Sequence, residues 1–538
     1  MAHAHALPIA DGVQLDLALL GVLVAVTVFL IVAYHSRIPY PMLLVVGGAG
    51  IGFLPGIPDV RLNPDLVLVL VLPPLLYAAA FFSSLRDLRD NLRPIGLLSI
   101  GLVITTTVAI AVVAHAVVDG MSWEAAFVLG AVVSPTDAVA ATAIASRVGA
   151  PRRFVTIIEG EALVNDATAL IAYKFAVAAA VSGSFSLAEA GWRFVLNAVV
   201  GIAIGLAVGW IVAQVRRMID DAPTEITISL LTAYFAYLPA EALGVSAVLA
   251  VVTTGIYLGW NSPQLITPAT RIQVFAVWEI VQFVLNAALF VLVGLQLPSV
   301  IDGISALPTR SIVWYAVAVA GAVMVVRLVS VYPATYLPRL MSARLRERDP
   351  SPPWHFPAIV GWTGMRGAVS LAAALAIPET IDSGAAFPQR DLIIFLTYAV
   401  ILATLVLQGM TLPALIKVLG IEPDETLAQR ESTARLLAAR AAIDRIDELV
   451  SEDWVREDTA ERVRRGYQFR IDRFSARFDE QDDGAIDERS YNYQRLVREL
   501  LEAQRAEIIR LRNQGRINDE IMHRIERDLD LEDTRLEV

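Results

Sequence analysis

No cysteine occurs anywhere in the 538 residues. That removes disulfides, thiolate metal sites and cysteine nucleophiles, and leaves the redox compartment open. Charge is scarce as well: Asp, Glu, Lys and Arg make up 18% of the chain, against about 25% in an ordinary globular domain. With a net charge of −11 there is no basic surface for nucleic acid. The six histidines are scattered without ligand spacing, His3 and His5 at the N-terminus and His115 near the end of an apolar run. No Walker loop, GxSxG or HExxH is present, which argues against ATP-driven pumping and embedded hydrolysis. The opening MAHAHALPIADG carries no Lys or Arg. A secretory signal needs a basic start, so the first apolar run reads as a retained span.

What is abundant is apolar. Hydrophobic residues make up 56% of the chain and mean hydropathy is +0.59, where a soluble domain has about 45–50% apolar residues. Residues 421–538 hold 30 Asp and Glu and 21 Arg, a net of −9, leaving 24 acids and 22 bases, a net of −2, for the first 420. This division predicts an all-α polytopic membrane domain over 1–420 and a soluble helical domain over 421–538.

A hydrocarbon core of about 30 Å needs about 20 mostly apolar residues per helix. On that measure thirteen spans are expected, near 14–34, 40–57, 64–84, 94–118, 123–146, 156–182, 193–215, 224–241, 245–260, 272–298, 311–337, 356–378 and 391–416. The eighth and ninth are short and could merge or shift. Bases in the short loops set the orientation. Arg37, Arg86, Arg89, Arg93, Arg147, Arg152, Arg153, Arg216, Arg217, Arg271, Arg339, Arg344, Arg346, Arg348 and Lys417 put 15 on one side. Only Arg61, Arg193, Arg310 and Arg390 fall on the other. The expectation is an N-terminus outside and a tail in the cytoplasm, in the plasma (inner) membrane. That orientation requires an odd number of spans.

Lys174, Arg327 and Arg366 fall inside spans, as do Asp137, Glu159, Glu161, Asp166 and Glu279. A charge at bilayer depth costs roughly 2.5–3.5 kcal/mol even on lenient insertion scales, so these residues mark where chemistry is to be sought. In the fifth span, Ser134-Pro135-Thr136-Asp137 interrupts an apolar run. Pro135 removes a backbone donor and breaks the helix. Broken backbone at that depth must be buried in protein or line a cavity. The freed carbonyls, the Asp137 carboxylate and the Thr136 hydroxyl could then hold a cation; the plainer alternative is a proline kink with a capping Thr-Asp.

The sixth span reads Glu159-Gly160-Glu161-Ala162-Leu163-Val164-Asn165-Asp166. Glu161 and Asn165 share a helical face, and Asp166 points one residue further round. A buried carboxylate there holds either a proton or a cation, and that exclusion is the physical basis of exchange. Asn165 is neutral where a second acid could stand. Alternatively, Asn165-Asp166 braces a bundle. The twelfth span contains Gly361-Trp362-Thr363-Gly364-Met365-Arg366-Gly367, a poor continuous helix, so a second break is expected. The fifth and twelfth spans run in opposite directions, as in inverted-repeat transporters with a midplane site. Arg366 would balance negative half-helix ends at the crossing, and Arg327 is the natural counter-charge for Glu161; snorkelling is the alternative for either. Lys174 lies about 12 Å along the helix from Asp166, too far to pair, and reads as snorkelling outward. Glu279 reads as interfacial.

These stretches resemble the monovalent cation:proton antiporters, in the sodium/proton exchanger branch of bacterial NhaP-type and animal exchangers. The likeness rests on Leu72-Pro73-Pro74-Leu75-Leu76-Tyr77, SPTDAVA at 134–140, EGEALVNDATAL at 159–170, FVLVGLQLP at 290–298 and GMRGAVSL at 364–371. It runs in order through the whole membrane domain. The resemblance implies a homodimer of thirteen-helix protomers whose core domain moves against a scaffold. It implies that Asp166 alternately binds cation and proton, with Asp137 and Thr136 completing a Na⁺ site. Glu161 would act through water or pair with an arginine, and Asn165 would mark electroneutral exchange. Arg327 and Arg366 would stabilise the core. The substrates would be Na⁺ (Li⁺ or K⁺ as alternatives) and H⁺, with the bilayer as surroundings, and no cofactor is expected. Two positions depart from the pattern: Ala162 stands where some relatives place a ligating hydroxyl, and Tyr77-Ala78 where some carry an acid.

The tail reads as amphipathic helices, for instance from Ala434 and from Leu496 to Leu511, with turns at Gly484 and Gly515. A bundle that aids dimerisation and a sensor are the two readings. For the whole chain the expectation is a secondary antiporter. The competitors are a K⁺/H⁺ antiporter of the same fold, an uncoupled cation channel (which would need an open pathway and a ring of acids or a filter) and a receptor, which would need no buried ionisable cluster.

Overall fold

The computed structural model describes residues 21–536 apart from 22, 23, 25, 30, 34, 37, 55–63, 65, 148, 184–186, 421–424 and 477–484. Much of the first expected span, with Arg37, Arg61 and Gly484, lies outside the described residues. Among those described, every regular element is helical, and the only bridge is an isolated pair, Thr380 with Ala386. The chain forms two compact units, Met1–Pro423 and Asp424–Val538.

The first unit contains α1 (Tyr40–Gly52), α2 (Leu72–Phe82), α3 (Leu92–Val117), α4 (Trp123–Val133), α5 (Ala138–Arg147), α6 (Arg152–Ser182) and α7 (Leu187–Arg216). It continues with α8 (Ala222–Ala242), α9 (Ala247–Leu265), α10 (Pro268–Leu295), α11 (Thr309–Met341), α12 (His355–Trp362), α13 (Ala368–Leu375) and α14 (Arg390–Ala403). Seven described helices are long and apolar enough to cross a bilayer, counting α4 with α5 as one. Several start where the sequence supplies a cap: Ser122, Asp221, Ser246 and Thr267 accept N–H groups in the first turns of α4, α8, α9 and α10. The short eighth and ninth expected spans stay separate, parted by Gly244 at φ +70.

Both expected breaks are present. Residues 134–137 leave the helix between α4 and α5, and residues 363–367 between α12 and α13. Burial divides the unit into two apolar cores. One is built on α1, α3, α4, α5, α11, α12, α13 and α14, the other on α2, α7, α8 and α9. Helices α6 and α10 contribute to both. Packing is close where side chains are smallest: a Cβ on Gly294 of α10 would lie 2.3 Å from the Val45 carbonyl of α1.

The second unit contains α15 (Glu425–Leu449), α16 (Glu457–Ala476), α17 (Ala485–Asn513) and α18 (Asp519–Leu536). Leu501 and Ile508 of α17 pack with Met522 and Leu529 of α18. Arg505 binds Asp530 at 2.8 Å and Asp533 at 3.1 Å across the pair. Gly515, at φ +69, makes the turn between them.

Candidate functional site

The two breaks touch. The Asp137 backbone N–H donates to the Met365 carbonyl at 2.8 Å, so the interrupted helices are joined at their unwound segments. Asp137 caps α5, its Oδ1 accepting the Val139 N–H at 2.8 Å. Its other oxygen lies against Gly367, where a Cβ would be 2.1 Å from Oδ2. Gly367 is also the residue from which α13 starts. The carboxylate therefore faces two helix N-termini, the ends that favour a negative charge. Arg366 serves the opposite ends. Its Nε donates to the Val133 carbonyl, the last of α4, at 3.0 Å, and its Nη1 to the Gly364 carbonyl just past α12. Its backbone N–H is held by Thr404 Oγ1 at 3.1 Å.

Behind the crossing runs a buried polar chain. Arg327 grips Glu161 with two bonds, Nη1 to Oε1 at 2.5 Å and Nη2 to Oε2 at 2.9 Å, and also reaches the Val360 carbonyl. Thr136 Oγ1 donates to Glu161 Oε1 at 3.0 Å and accepts from Asn165 Nδ2 at 2.6 Å. A hydroxyl has one hydrogen and two lone pairs, so Thr136 keeps one lone pair free. Arg327, Arg366 and Glu161 are each 1% exposed, which rules out snorkelling for either arginine.

Asp166 points away from that chain into a cavity of about 130 Å³ between the two cores. Thr136, Asp137 and Asp166 all line it, together with Pro135 and Gly367 of the two broken segments, Ser370 of α13 and residues of α2 and α10. Glu161 and Asn165 are not among the lining residues, being turned toward Thr136 and Arg327. Among the described residues, three of the lining side chains are acids, Asp137, Glu159 and Asp166, and none is Lys or Arg. An apolar-walled cavity holding only carboxylates, hydroxyls and amides suits a hard cation or protons. The remaining charges lie elsewhere. Lys174 meets Glu241 of α8 at 3.1 Å in an exposed pair, and Glu279 is exposed.

A profile of the family described as sodium/hydrogen exchanger, transmembrane, matches residues 22–418. The chain belongs to the sodium/hydrogen exchanger family. An uncharacterized Na⁺/H⁺ exchanger of Mycobacterium tuberculosis is 37% identical over 98% of this chain and 97% of its own length. A sodium, potassium, lithium and rubidium/H⁺ antiporter of Bacillus pumilus is 35% identical over 77% of this chain and 63% of its own. The solved sodium proton antiporter of Methanocaldococcus jannaschii, 18% identical, shares the fold at a TM-score of 0.58 over 74% of this chain and 99% of its own. The expected family and the expected all-helical membrane fold are therefore both found.

In this exchanger the cavity also contains residues beyond the expected site. Glu159, one of the acids at depth, lies seven residues before Asp166 and so on the same helical face. Gln282 and Asn286, four apart on α10, also line the cavity. Their spacing was visible in the sequence, but nothing there said which face of α10 the site would meet. Ser370 lies inside GMRGAVSL, but nothing in that stretch marks its hydroxyl as a group of the site.

Proposed function

We propose that this exchanger carries Na⁺ (or Li⁺) out of the cytoplasm against H⁺ moving in, with Asp166 as the group that binds each in turn. The observation that carries the reading is the cavity at the crossing, lined by Asp137 and Asp166 and, among the described residues, by no base. A deprotonated Asp166 attracts a cation, and a protonated one has no charge to hold it. Asp137, braced by two helix N-termini, stays in place as a fixed ligand, and Thr136 offers its remaining lone pair. Arg366 and the Arg327–Glu161 pair hold the unwound segments so that these ligands keep their geometry. Each transport cycle then exchanges one cation for one proton at one carboxylate, without net charge movement.

The inside-positive loop charge supports an outside N-terminus and a cytoplasmic tail in the plasma membrane. Thirteen spans and a homodimer are proposed on the resemblance stated above. A preference for K⁺ is the second reading, favoured by the name of the Bacillus relative, which includes potassium and rubidium beside sodium and lithium.

Acid-loaded proteoliposomes carrying a pH dye test both. Added Na⁺ or Li⁺ should drive proton efflux in the wild type and not in Asp166→Asn, and the ranking of Na⁺, Li⁺ and K⁺ identifies the substrate. Cation uptake without proton movement would point to a channel. Full activity in Asp166→Asn would remove that residue from the carrier role.

A further inference from the structure

A hydroxyl inside a helix ordinarily turns back on the carbonyl four residues earlier. Thr142, Thr168 and Thr404 all do so here, at 2.9, 3.0 and 2.8 Å. Ser370 does not. It is the third residue of α13, so the carbonyl four back belongs to Arg366, inside the unwound segment. Its Oγ is buried, the residue being 1% exposed, and has no hydrogen-bond partner among the described residues. A buried hydroxyl left unpaired is unfavourable and calls for an explanation. Ser370 also lines the cavity that contains Asp137 and Asp166. Among the described residues, its Oγ is the one buried side-chain atom without a partner that belongs to a residue lining this cavity.

The other oxygens around the cavity are partly committed. Asp137 Oδ1 accepts the Val139 N–H, and Thr136 Oγ1 is bonded on both sides by Asn165 and Glu161. At position 162, on the α6 wall of the same cavity, there is only the methyl group of an alanine. A cation held by the two aspartates still needs neutral oxygens in place of the water it sheds. Gly367 allows α13 to begin directly against Asp137, which brings the first turn of that helix, and Ser370 with it, to the cavity wall.

We propose that the Ser370 hydroxyl is a neutral ligand of the transported cation, completing from α13 a donor set whose carboxylates come from the α4–α5 break and from α6. The proposal rests on the reading of this cavity as the transport site. It makes Ser370 a determinant of cation affinity and of discrimination between cations, with no part in carrying the proton.

Ser370→Ala and Ser370→Thr, compared with wild type in the same pH-dye proteoliposomes, test this with NaCl and LiCl and with choline chloride as control. Ser370→Ala should raise KM for Na⁺ about tenfold, the effect of losing roughly one good ligand interaction, with the maximal rate near that of wild type. Ser370→Thr, which keeps the hydroxyl, should restore the wild-type KM. Because alanine removes an unpaired buried hydroxyl, Ser370→Ala should unfold at or above the wild-type temperature without Na⁺. Its thermal stabilisation by added NaCl should be weaker than in wild type. A wild-type KM for both cations together with wild-type stabilisation by NaCl would overturn the proposal. So would a KM rise that threonine fails to reverse and that comes with lower salt-free stability, the mark of a packing role. Asp166→Asn, run alongside, keeps the two failures apart. Full activity there would refute the carrier reading, and the Na⁺-dependent stabilisation of the Ser370 variants would still report on the ligand.

Discussion

At the scale of single residues, Glu161 shows why buried charge in this protein divides into two kinds. Glu161 and Asp166 sit five apart on α6, yet one is fully paired by Arg327, while the other makes no ion pair among the described residues and faces a cavity. A buried carboxylate gripped by two guanidinium bonds cannot exchange its charge for a proton without stranding the arginine. Glu161 is therefore a fixed brace, and through Thr136 it also sets the position of the fifth-span break. Arg327→Ala should lose about 3–5 kcal/mol of stability, because Glu161 would be left charged and unpaired at depth. Arg327→Met combined with Glu161→Leu should recover most of that loss, while transport stays impaired because Thr136 has lost its acceptor. Thermal unfolding of the purified variants in detergent reads both effects. An unchanged midpoint in Arg327→Ala would show that the pair contributes nothing to the fold.

At the scale of elements, the ends of three helices meet at a second charged cluster. Asp349, in the loop between α11 and α12, receives Arg93 at the start of α3, Arg153 at the start of α6 and Arg339 near the end of α11, at 2.9, 2.9 and 2.6 Å. Burial pushes the Asp349 carboxyl up, but the hydrogen bond and charge of Arg153 and the charges of Arg339 and Arg93 outweigh it and hold it below the usual carboxylate value. A carboxyl depressed in the folded state adds stability above its unfolded value and loses it as pH falls through the folded one. Asp349→Asn should therefore lower the unfolding temperature most at neutral pH, and the difference from wild type should vanish in acid. A difference that grew in acid would contradict the clamp. Nothing in the sequence points to this cluster, because its members are up to 256 positions apart and its three arginines stand out only as loop bases. The two breaks, by contrast, were legible from Pro135 and from the glycines around Arg366, since proline and glycine act on the backbone locally. The faces of α6 were legible as well, from helical spacing alone. Which face met a partner arginine and which met a cavity depended on α11 and α10, and no local pattern carries that.

At the scale of the whole molecule, the charge inventory of the site bears on whether the exchanger feels the membrane potential. Arg327 and Glu161 neutralise each other, Arg366 is held by carbonyls at the crossing, and Asn165 adds no charge beside Asp166. If only Asp166 changes its occupant, the form loaded with one monovalent cation and the form loaded with one proton carry the same total charge. Moving either across the bilayer then does the same electrical work. One uncompensated charge would instead be worth about 2.3 kcal/mol per 100 mV, close to a 50-fold change in the equilibrium. Exchange in proteoliposomes clamped by K⁺ and valinomycin, with Na⁺ as substrate, should therefore come to the same final proton gradient at 0 and −100 mV. Solid-supported membranes should give only background current. A current that scales with turnover would mean that a second carboxylate exchanges its proton in each cycle. Asp137 and Glu159 are the other acids on the cavity wall, and Asp137→Asn or Glu159→Gln should abolish the current, according to which of the two titrates.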